Sequence, residues 1–215
     1  MGKDWAKDMV HVAYGMVSLE EGTMSTRKGN VVLLEDVIQK CVEKAYAIID
    51  QKNPDLENKE DVAEKVGVGA VIFGALANNK IKDIVFSYDK VLNFDGETGP
   101  YVQYTCARAN SVLQKAGAKA EEYVLPDLSE EEYALVDELA KFPEVVRSAA
   151  EKYEPSFVTR YAVGLASAFN KFYLGCKILQ ETGDVKNFRL DLTDATLQVL
   201  KNALSLLGIG VPERM

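Results

Sequence analysis

Apolar residues recur every three or four positions along most of this 215-residue chain, and residues that start or stop helices bound each run. This spacing places the apolar side chains on one face of an α-helix. The first clear run begins with Glu35 and Asp36, whose charges suit a helix N-terminus, and ends at Asn53 and Pro54. Its apolar positions are Val37, Ile38, Cys41, Val42, Ala45, Ile48 and Ile49. The pattern predicts an amphipathic helix.

Helix signals continue through the second half of the chain. Pro100 favours a helix start and Gly117 a stop, so a helix is predicted from Thr98 to about Ala116. Three later helices are indicated by the capping-box spacing of Ser129 and Glu132, by Pro143, and by Pro155-Ser156. A final stripe consists of Leu197, Leu200, Leu204 and Leu207 and ends at Gly208. The second half is therefore predicted to be a helical bundle.

Two segments are less regular. Residues 59–77 have helical spacing but contain Gly67, Gly69 and Gly74, which predicts two shorter helices with close backbone packing. Residues 84–94 mix β-branched and aromatic side chains without a helical period. They are predicted to form an extended connector between two domains.

Composition limits the class of protein. A chain that is 47% hydrophobic can bury a core without staples, and Cys41, Cys106 and Cys176 are too far apart to suggest a disulfide framework or a zinc site. They are expected to be buried in a reducing cytoplasm. Neither a membrane-spanning apolar run nor a cleavable leader is found, so a soluble cytoplasmic protein is expected. The net charge of −8 argues against general affinity for nucleic acid, which leaves room only for local recognition of unpaired bases.

A short polar loop, Met24 to Asn30, precedes the first helix. Arg27 and Lys28 can donate charge-assisted hydrogen bonds to phosphate oxygens, and the Ser25 hydroxyl can donate a neutral one. Thr26 adds a second hydroxyl, and Gly29 permits backbone conformations that a Cβ would forbid. The loop has the composition of a phosphate-binding loop, although an ordinary surface turn has a similar composition.

The surroundings of this loop resemble the arginyl-tRNA synthetases. In that class I family a loop reading MSTRKGN replaces the KMSKS signature that closes over ATP, and a segment like His11 to Val17 precedes it. The resemblance continues, in family order, through 94–104, 169–176 and 212–215, and thus covers essentially the whole chain. It implies a mainly α fold: a helical region that contacts the tRNA stem, followed by an α-helical anticodon-binding bundle of the DALR type, with a short remnant of the α/β catalytic domain at the N-terminus.

The resemblance also implies a division of the chain and a reaction. Residues 1–34 would end the catalytic domain, 35–93 would form the stem-contact region and connector, and 94–215 the anticodon-binding domain. The full enzyme attaches L-arginine to tRNA(Arg) and consumes ATP with Mg²⁺. Since His11 is the single histidine, no HIGH-type motif is present. The chain is therefore expected to be a C-terminal portion, a monomer, and inactive alone.

Within the loop, the resemblance assigns Ser25, Arg27 and Lys28 to the phosphates of ATP as pyrophosphate leaves. Met24, Thr26 and Gly29 complete the ATP-binding loop. Thr23 stands where the strict signature has its first lysine, and Lys28 is expected to supply that charge. His11 and Tyr14 are expected to support the loop and the adenine pocket.

Two helical faces carry the expected tRNA contacts. Tyr101, Tyr104, Arg108 and Ser111 share one face of the Pro100 helix, roughly opposite Val102, Cys106, Ala109 and Leu113. Tyrosine rings and a guanidinium suit unstacked bases, although tyrosines that merely cover a bundle give the same pattern. The resemblance places Tyr104 and Arg108 at the anticodon loop.

The second face carries Asn170, Tyr173 and Lys177, spaced by three and four residues. In the resemblance Tyr173 meets the anticodon, and the terminal Met215 packs back beside it. Two other classes of protein remain open from the residues: a free-standing tRNA-binding module without catalytic activity, and a plain helical interaction domain.

Overall fold

The structure is a computed structural model that describes residues 2–20, 33–117 and 122–215. It is mainly helical. After a 3₁₀ helix at Asp4–Asp8, the described residues form α1 (Leu34–Lys52), α2 (Lys59–Leu76), α3 (Tyr88–Val91), α4 (Gly99–Ala116), α5 (Glu130–Ala140), α6 (Phe142–Glu151), α7 (Ser156–Gly175) and α8 (Gly183–Leu206). Two short strands, β1 (Val17–Leu19) and β2 (Ile84–Phe86), form a parallel pair in which Ser18 is opposite Val85.

The first helix was correctly predicted, and it packs along α2. The apolar stripe of α1 is buried at Cys41 and Ala45, against Val62, Ala63 and Val66 of α2. A Cβ at Gly67 would lie 2.7 Å from the Cα atom of Val42, so the two helices approach too closely for any larger residue. The predicted close backbone packing is thereby confirmed.

Two predictions for the region between α1 and α4 are wrong. Residues 59–76 form one helix and not two, because the glycines face neighbouring backbone and side chains rather than breaking the helix. Residues 84–94 are not a simple extended connector, since they contain β2 and α3. Strand pairing with β1 explains the first part, because the backbone of Ile84 donates to the carbonyl of Met16 at 2.8 Å.

The predicted helical bundle is confirmed, and it forms the larger hydrophobic core. Helices α4, α5, α7 and α8 bury Leu165, Phe169 and Phe172 completely, together with Val102 and Leu200. The three cysteines are free and buried, as expected.

The helix ends follow the sequence signals closely. The Thr98 hydroxyl accepts from the backbone N–H of Tyr101, and Ser129 forms a complete capping box with Glu132. Gly208 ends the chain's last helical segment with φ +74°, a left-handed conformation that favours glycine. Helix α8 begins at Gly183, well before the leucine stripe that predicted it. Within the described ranges, none of the helices is both long and apolar enough to cross a membrane.

Candidate nucleic-acid interface

A cavity of about 350 Å³ lies between α4, the end of α7 and the C-terminal tail. From the predicted tRNA-binding set, it brings together Tyr104, Arg108, Tyr173 and Met215. The two tyrosines are 40% and 39% exposed, so their rings are accessible to a ligand while remaining anchored in the bundle surface. The volume lies in the range of about 300–1,000 Å³ that is usual for small-molecule pockets.

Arg108 is the centre of this cluster. Its guanidinium carbon lies 4.8 Å from the ring centroid of Tyr104 and 5.3 Å from that of Tyr173. Both distances are typical of cation–π interactions. These interactions hold the long side chain of Arg108 in place beside two aromatic rings. A fixed guanidinium next to exposed rings can donate to base edges or phosphate oxygens, and the rings can stack on bases.

Asn170 and Tyr101 stand beside the cluster and are engaged within the protein. The Asn170 amide oxygen accepts from Arg108, and its nitrogen donates to the Tyr101 hydroxyl at 3.0 Å and to the Thr105 hydroxyl at 3.2 Å. Neither Asn170 nor Tyr101 lines the cavity. The predicted site residues are thus adjacent in space, but two of them contact Arg108 or its partner rather than the cavity.

The C-terminal tail forms one wall of the cavity and is tied to α4. Gln103 donates to the carbonyl of Gly210 at 2.7 Å, Asn110 to that of Glu213 at 3.0 Å, and Arg214 donates to Gln114 at 3.1 Å. The backbone carbonyl of Met215, the last residue, accepts a hydrogen bond of 3.4 Å from the side-chain amide of Asn53, at the end of α1.

Sequence reasoning missed the residues that hold this tail. Gln103, Asn110 and Gln114 occupy positions i, i+7 and i+11 of α4 and therefore form one stripe along that helix. The sequence signal for this contact is a stripe of amide side chains at helical spacing. Gln103 is fully buried and also donates to the carbonyl of Lys65 in α2 at 3.0 Å.

The other predicted residues lie elsewhere. Lys177 has an exposed side chain that does not line the cavity, and its carbonyl accepts from Arg189. His11 and Tyr14 are exposed, Tyr14 by 84%, on the segment that leads into β1. The ATP-loop residues Met24, Ser25, Thr26, Arg27, Lys28 and Gly29 fall outside the described residues.

The charges around the cavity differ from the charge of the whole chain. Lys115 and Arg214 line it together with Arg108, although the chain carries a net charge of −8. Basic side chains are thus concentrated where two exposed tyrosines lie. This is the local arrangement of cations and aromatics that an acidic protein requires to bind unpaired nucleotides.

Two families match consecutive parts of the chain. Residues 102–215 match the family described as DALR anticodon binding domain. Residues 2–88 match the family described as tRNA synthetases class I (R), catalytic domain. The first match contains the four predicted residues that line the cavity: Tyr104, Arg108, Tyr173 and Met215.

Individual relatives agree with these families. The chain is 53% identical to the arginine–tRNA ligase of Halothermothrix orenii and 51% identical to that of Clostridium botulinum, over its full length and 38% of theirs. Among solved structures, it is similar to the arginyl-tRNA synthetase of Thermus thermophilus, with a TM-score of 0.87 and 36% identity over 95% of this chain and 35% of that one. The arginyl-tRNA synthetase of Plasmodium falciparum aligns with a TM-score of 0.81 and 26% identity over the same shares.

The fold and these matches define a class of protein: a DALR-type anticodon-binding bundle joined to part of a class I catalytic domain. The chain belongs to the arginyl-tRNA synthetase family and spans 38% of the length of the curated relatives it matches. The family resemblance seen in the sequence and the mainly helical fold that it implied are confirmed.

Proposed function

We propose that this chain is the tRNA-reading part of an arginine–tRNA ligase, and that it binds the anticodon loop of tRNA(Arg) at the cavity between α4, α7 and the tail. The observation that carries the proposal is the convergence of Arg108, Tyr104, Tyr173 and Met215 on one cavity within the segment that matches the anticodon-binding family. Splayed bases are recognised by stacking on such rings and by donors held at their edges.

The whole ligase attaches L-arginine to tRNA(Arg) with ATP and Mg²⁺, in the cytoplasm, and this chain is proposed to contribute to that reaction as a monomer. The proposed ATP ligands are Ser25, Arg27 and Lys28 of the loop, with Met24, Thr26 and Gly29 completing it. His11 and Tyr14 have accessible side chains on the segment before β1, which suits a supporting role at the adenine. The cations would stabilise charge that develops as pyrophosphate leaves.

Alanine at Tyr104 tests the anticodon site directly. We expect Tyr104→Ala to weaken binding of a tRNA(Arg) anticodon hairpin by about 1–3 kcal/mol, the usual value of one base stacked on one ring. Thermal stability should change little, because the ring is 40% exposed. The measurement is a titration of labelled hairpin at fixed salt, alongside a melting curve.

Tyr133 provides the matched control. It is a tyrosine on α5 that is 67% exposed and lies outside the cavity, so Tyr133→Ala should leave hairpin affinity unchanged. Equal affinity of wild type and Tyr104→Ala would place the anticodon site elsewhere. Equal binding of an unrelated anticodon would show that the chain binds RNA without reading the anticodon, and no binding of any hairpin would support the plain helical interaction domain.

A further inference from the structure

The turn between α2 and β2 is bonded to the backbone that enters β1. The Lys80 carbonyl accepts from the backbone N–H of Gly15 at 2.7 Å, and the Asp83 carboxylate accepts from the backbone N–H of Met16 at 2.8 Å. A Cβ at Gly15 would lie 2.2 Å from the carbonyl oxygen of Lys82, so the two backbones meet closely there. The turn therefore determines where β1 begins.

The same turn is also held by a buried carboxylate of the bundle. Glu154, in the turn between α6 and α7, is 4% exposed. Its carboxylate accepts from the backbone N–H of Lys80 at 3.4 Å and lies 3.5 Å from the Lys80 ammonium, which also donates to the carbonyl of Lys152 at 2.9 Å. Burial raises the pKa of Glu154, but the hydrogen bonds from Ser156 and Lys80 outweigh it, so the pKa lies below its usual value. The contact is therefore a partly buried ion pair.

The turn that presents Glu154 has an unusual backbone. Tyr153, the preceding residue, has a φ of 51°, a left-handed conformation that favours glycine. The backbone N–H groups of Tyr153 and Glu154 donate to the carbonyls of Ala150 and Ala149 at 3.2 and 2.9 Å, and the Ser156 hydroxyl donates to the Glu154 carboxylate at 2.9 Å. Backbone strain of this kind persists where the surrounding contacts over-determine the conformation, and it is concentrated at functional sites.

The contact between Lys80 and Glu154 joins the two family-matched parts of the chain. Lys80 and β1 lie within the match to the catalytic domain, and Glu154 lies within the match to the anticodon-binding domain. We propose that Glu154 is a positioning residue for the ligase reaction: through Lys80 it fixes β1, and with it the catalytic part, relative to the bundle that holds the anticodon. This rests on the proposed function. It adds a residue that contacts neither the anticodon cavity nor the ATP loop.

Steady-state aminoacylation by the whole ligase that contains this chain tests the role of Glu154. In Glu154→Ala we expect kcat to fall about 10- to 100-fold, the usual cost of misplacing reacting groups by about 1 Å. The KM for tRNA(Arg) should stay within about twofold, because Glu154 does not line the anticodon cavity. Glu154→Gln keeps an oxygen that can accept from Lys80 and Ser156, so it should recover most of the lost rate. Glu151→Ala, which removes an exposed carboxylate nearby, should retain the wild-type values.

Amide hydrogen exchange of the 215-residue chain separates positioning from a loss of folding. In Glu154→Ala, the amides of Gly15 and Ile84, which bond the turn and β2 to the chain around β1, should exchange about tenfold faster. The amide of Leu165, buried in the bundle, should exchange as in the wild type. Equal acceleration at Leu165, unchanged exchange at Gly15 and Ile84, or an unchanged kcat would overturn the positioning role. A wild-type ligase that does not charge tRNA(Arg) would instead contradict the proposed function.

Discussion

Asn170 has an amide whose orientation is determined by its neighbours. The Thr105 hydroxyl donates its proton to the carbonyl of Tyr101 at 3.0 Å, so the hydroxyl oxygen can only accept from Asn170. The amide nitrogen must therefore face Thr105, and the amide oxygen faces Arg108. This chain of hydrogen bonds makes Asn170 and Thr105 positioning residues for the guanidinium.

Thr105→Val tests this positioning at a residue that no ligand reaches. Thr105 is fully buried and valine has nearly the same shape, but the acceptor for Asn170 is lost. We expect hairpin affinity to fall by about 1 kcal/mol, the net value of one hydrogen bond. Thr105→Ser, which keeps the hydroxyl, should restore most of it.

A double-mutant cycle separates positioning from a general structural effect. In an Arg108→Ala background, Thr105→Val should no longer reduce affinity, because the group that it orients is absent. The shift in melting temperature should be the same in both backgrounds. An equal loss of affinity in both would show that Thr105 acts on the bundle and not through Arg108.

Helix α2 is continuous because its glycines serve helix packing. The three glycines of this segment predicted a break in the helix. In the structure, Gly67 lies against the backbone of Val42, and Gly69 lies against the buried side chain of Gln103. The cost of glycine in a helix is offset by burial of the α1–α2 core.

Alanine substitution at two helical glycines makes this measurable. Gly67→Ala places a Cβ 2.7 Å from backbone atoms of α1, which cannot rotate away, so the free energy of unfolding should fall by about 1–3 kcal/mol. At Gly164 in α7 the nearest atom is 3.3 Å away at the end of the Glu138 side chain. Gly164→Ala should be neutral or stabilising by up to about 1 kcal/mol. Similar shifts at both positions in chemical denaturation would contradict the packing role of Gly67.

Most helices could be predicted because their signals are local. The cap residues Thr98, Ser129 and Gly208 act within one turn of the helix they bound, so the sequence nearby contains the information. Strand β2 could not be predicted in this way. Three residues become a strand only because β1, 67 positions earlier, pairs with them.

An ion pair joins α5 to α8 within the bundle. The Arg189 guanidinium lies 2.6 Å from the Glu132 carboxylate, which is 2% exposed and completes the cap of α5. Burial raises the pKa of Glu132, but the hydrogen bonds from Ser129 and Arg189 outweigh it, so the pKa lies below its usual value. A carboxyl with a lowered pKa stabilises the fold above its unfolded-state pKa of about 4.3, and this stability is lost as the pH falls through the folded-state value.

Glu132→Gln should alter how the free energy of unfolding depends on pH below neutrality. At pH 7 the variant leaves Arg189 with only its longer ion pair to Glu181, at 3.6 Å, and should lose about 1–3 kcal/mol of stability. As the pH falls toward 3, the variant should lose less additional stability than the wild type. Glu130→Gln, an exposed acid in the same helical turn, should retain the wild-type acid limb in melting curves across pH. Parallel pH profiles for wild type and Glu132→Gln would show that Glu132 does not titrate with folding.

The C-terminal tail joins the two hydrophobic cores of the molecule. Ile209 belongs to the bundle core, and Met215 packs against the α1–α2 core six residues later. Between them the tail forms the wall of the proposed anticodon site. Sequence resemblance placed Met215 beside the anticodon, but the contacts that hold it there, such as Asn53 across 162 positions, have no local signal and required the structure.

An acidic chain can bind RNA when its cations lie at the binding site and most of its carboxylates lie far from that site. Besides Arg108, the cavity between α4, α7 and the tail is lined by Lys115 and Arg214. Lys52 lines an adjoining cavity that shares Arg108 and Met215 with it. At physiological ionic strength the screening length is about 8 Å, so most of the net charge of −8 does not act on the bound loop. Stacking and edge contacts must then supply much of the affinity.

The salt dependence of binding measures this balance. If about three phosphates are neutralised, a plot of log affinity against log salt should have a slope of about −2 for the single-stranded loop. Lys115→Gln should reduce the slope by about 0.7. A protein that binds through a basic stripe, with about six to ten phosphate contacts, would give a slope of about −4 to −7. A slope in that range would show that RNA is bound along an extended surface, and that the cavity at Arg108 is not the main site of contact.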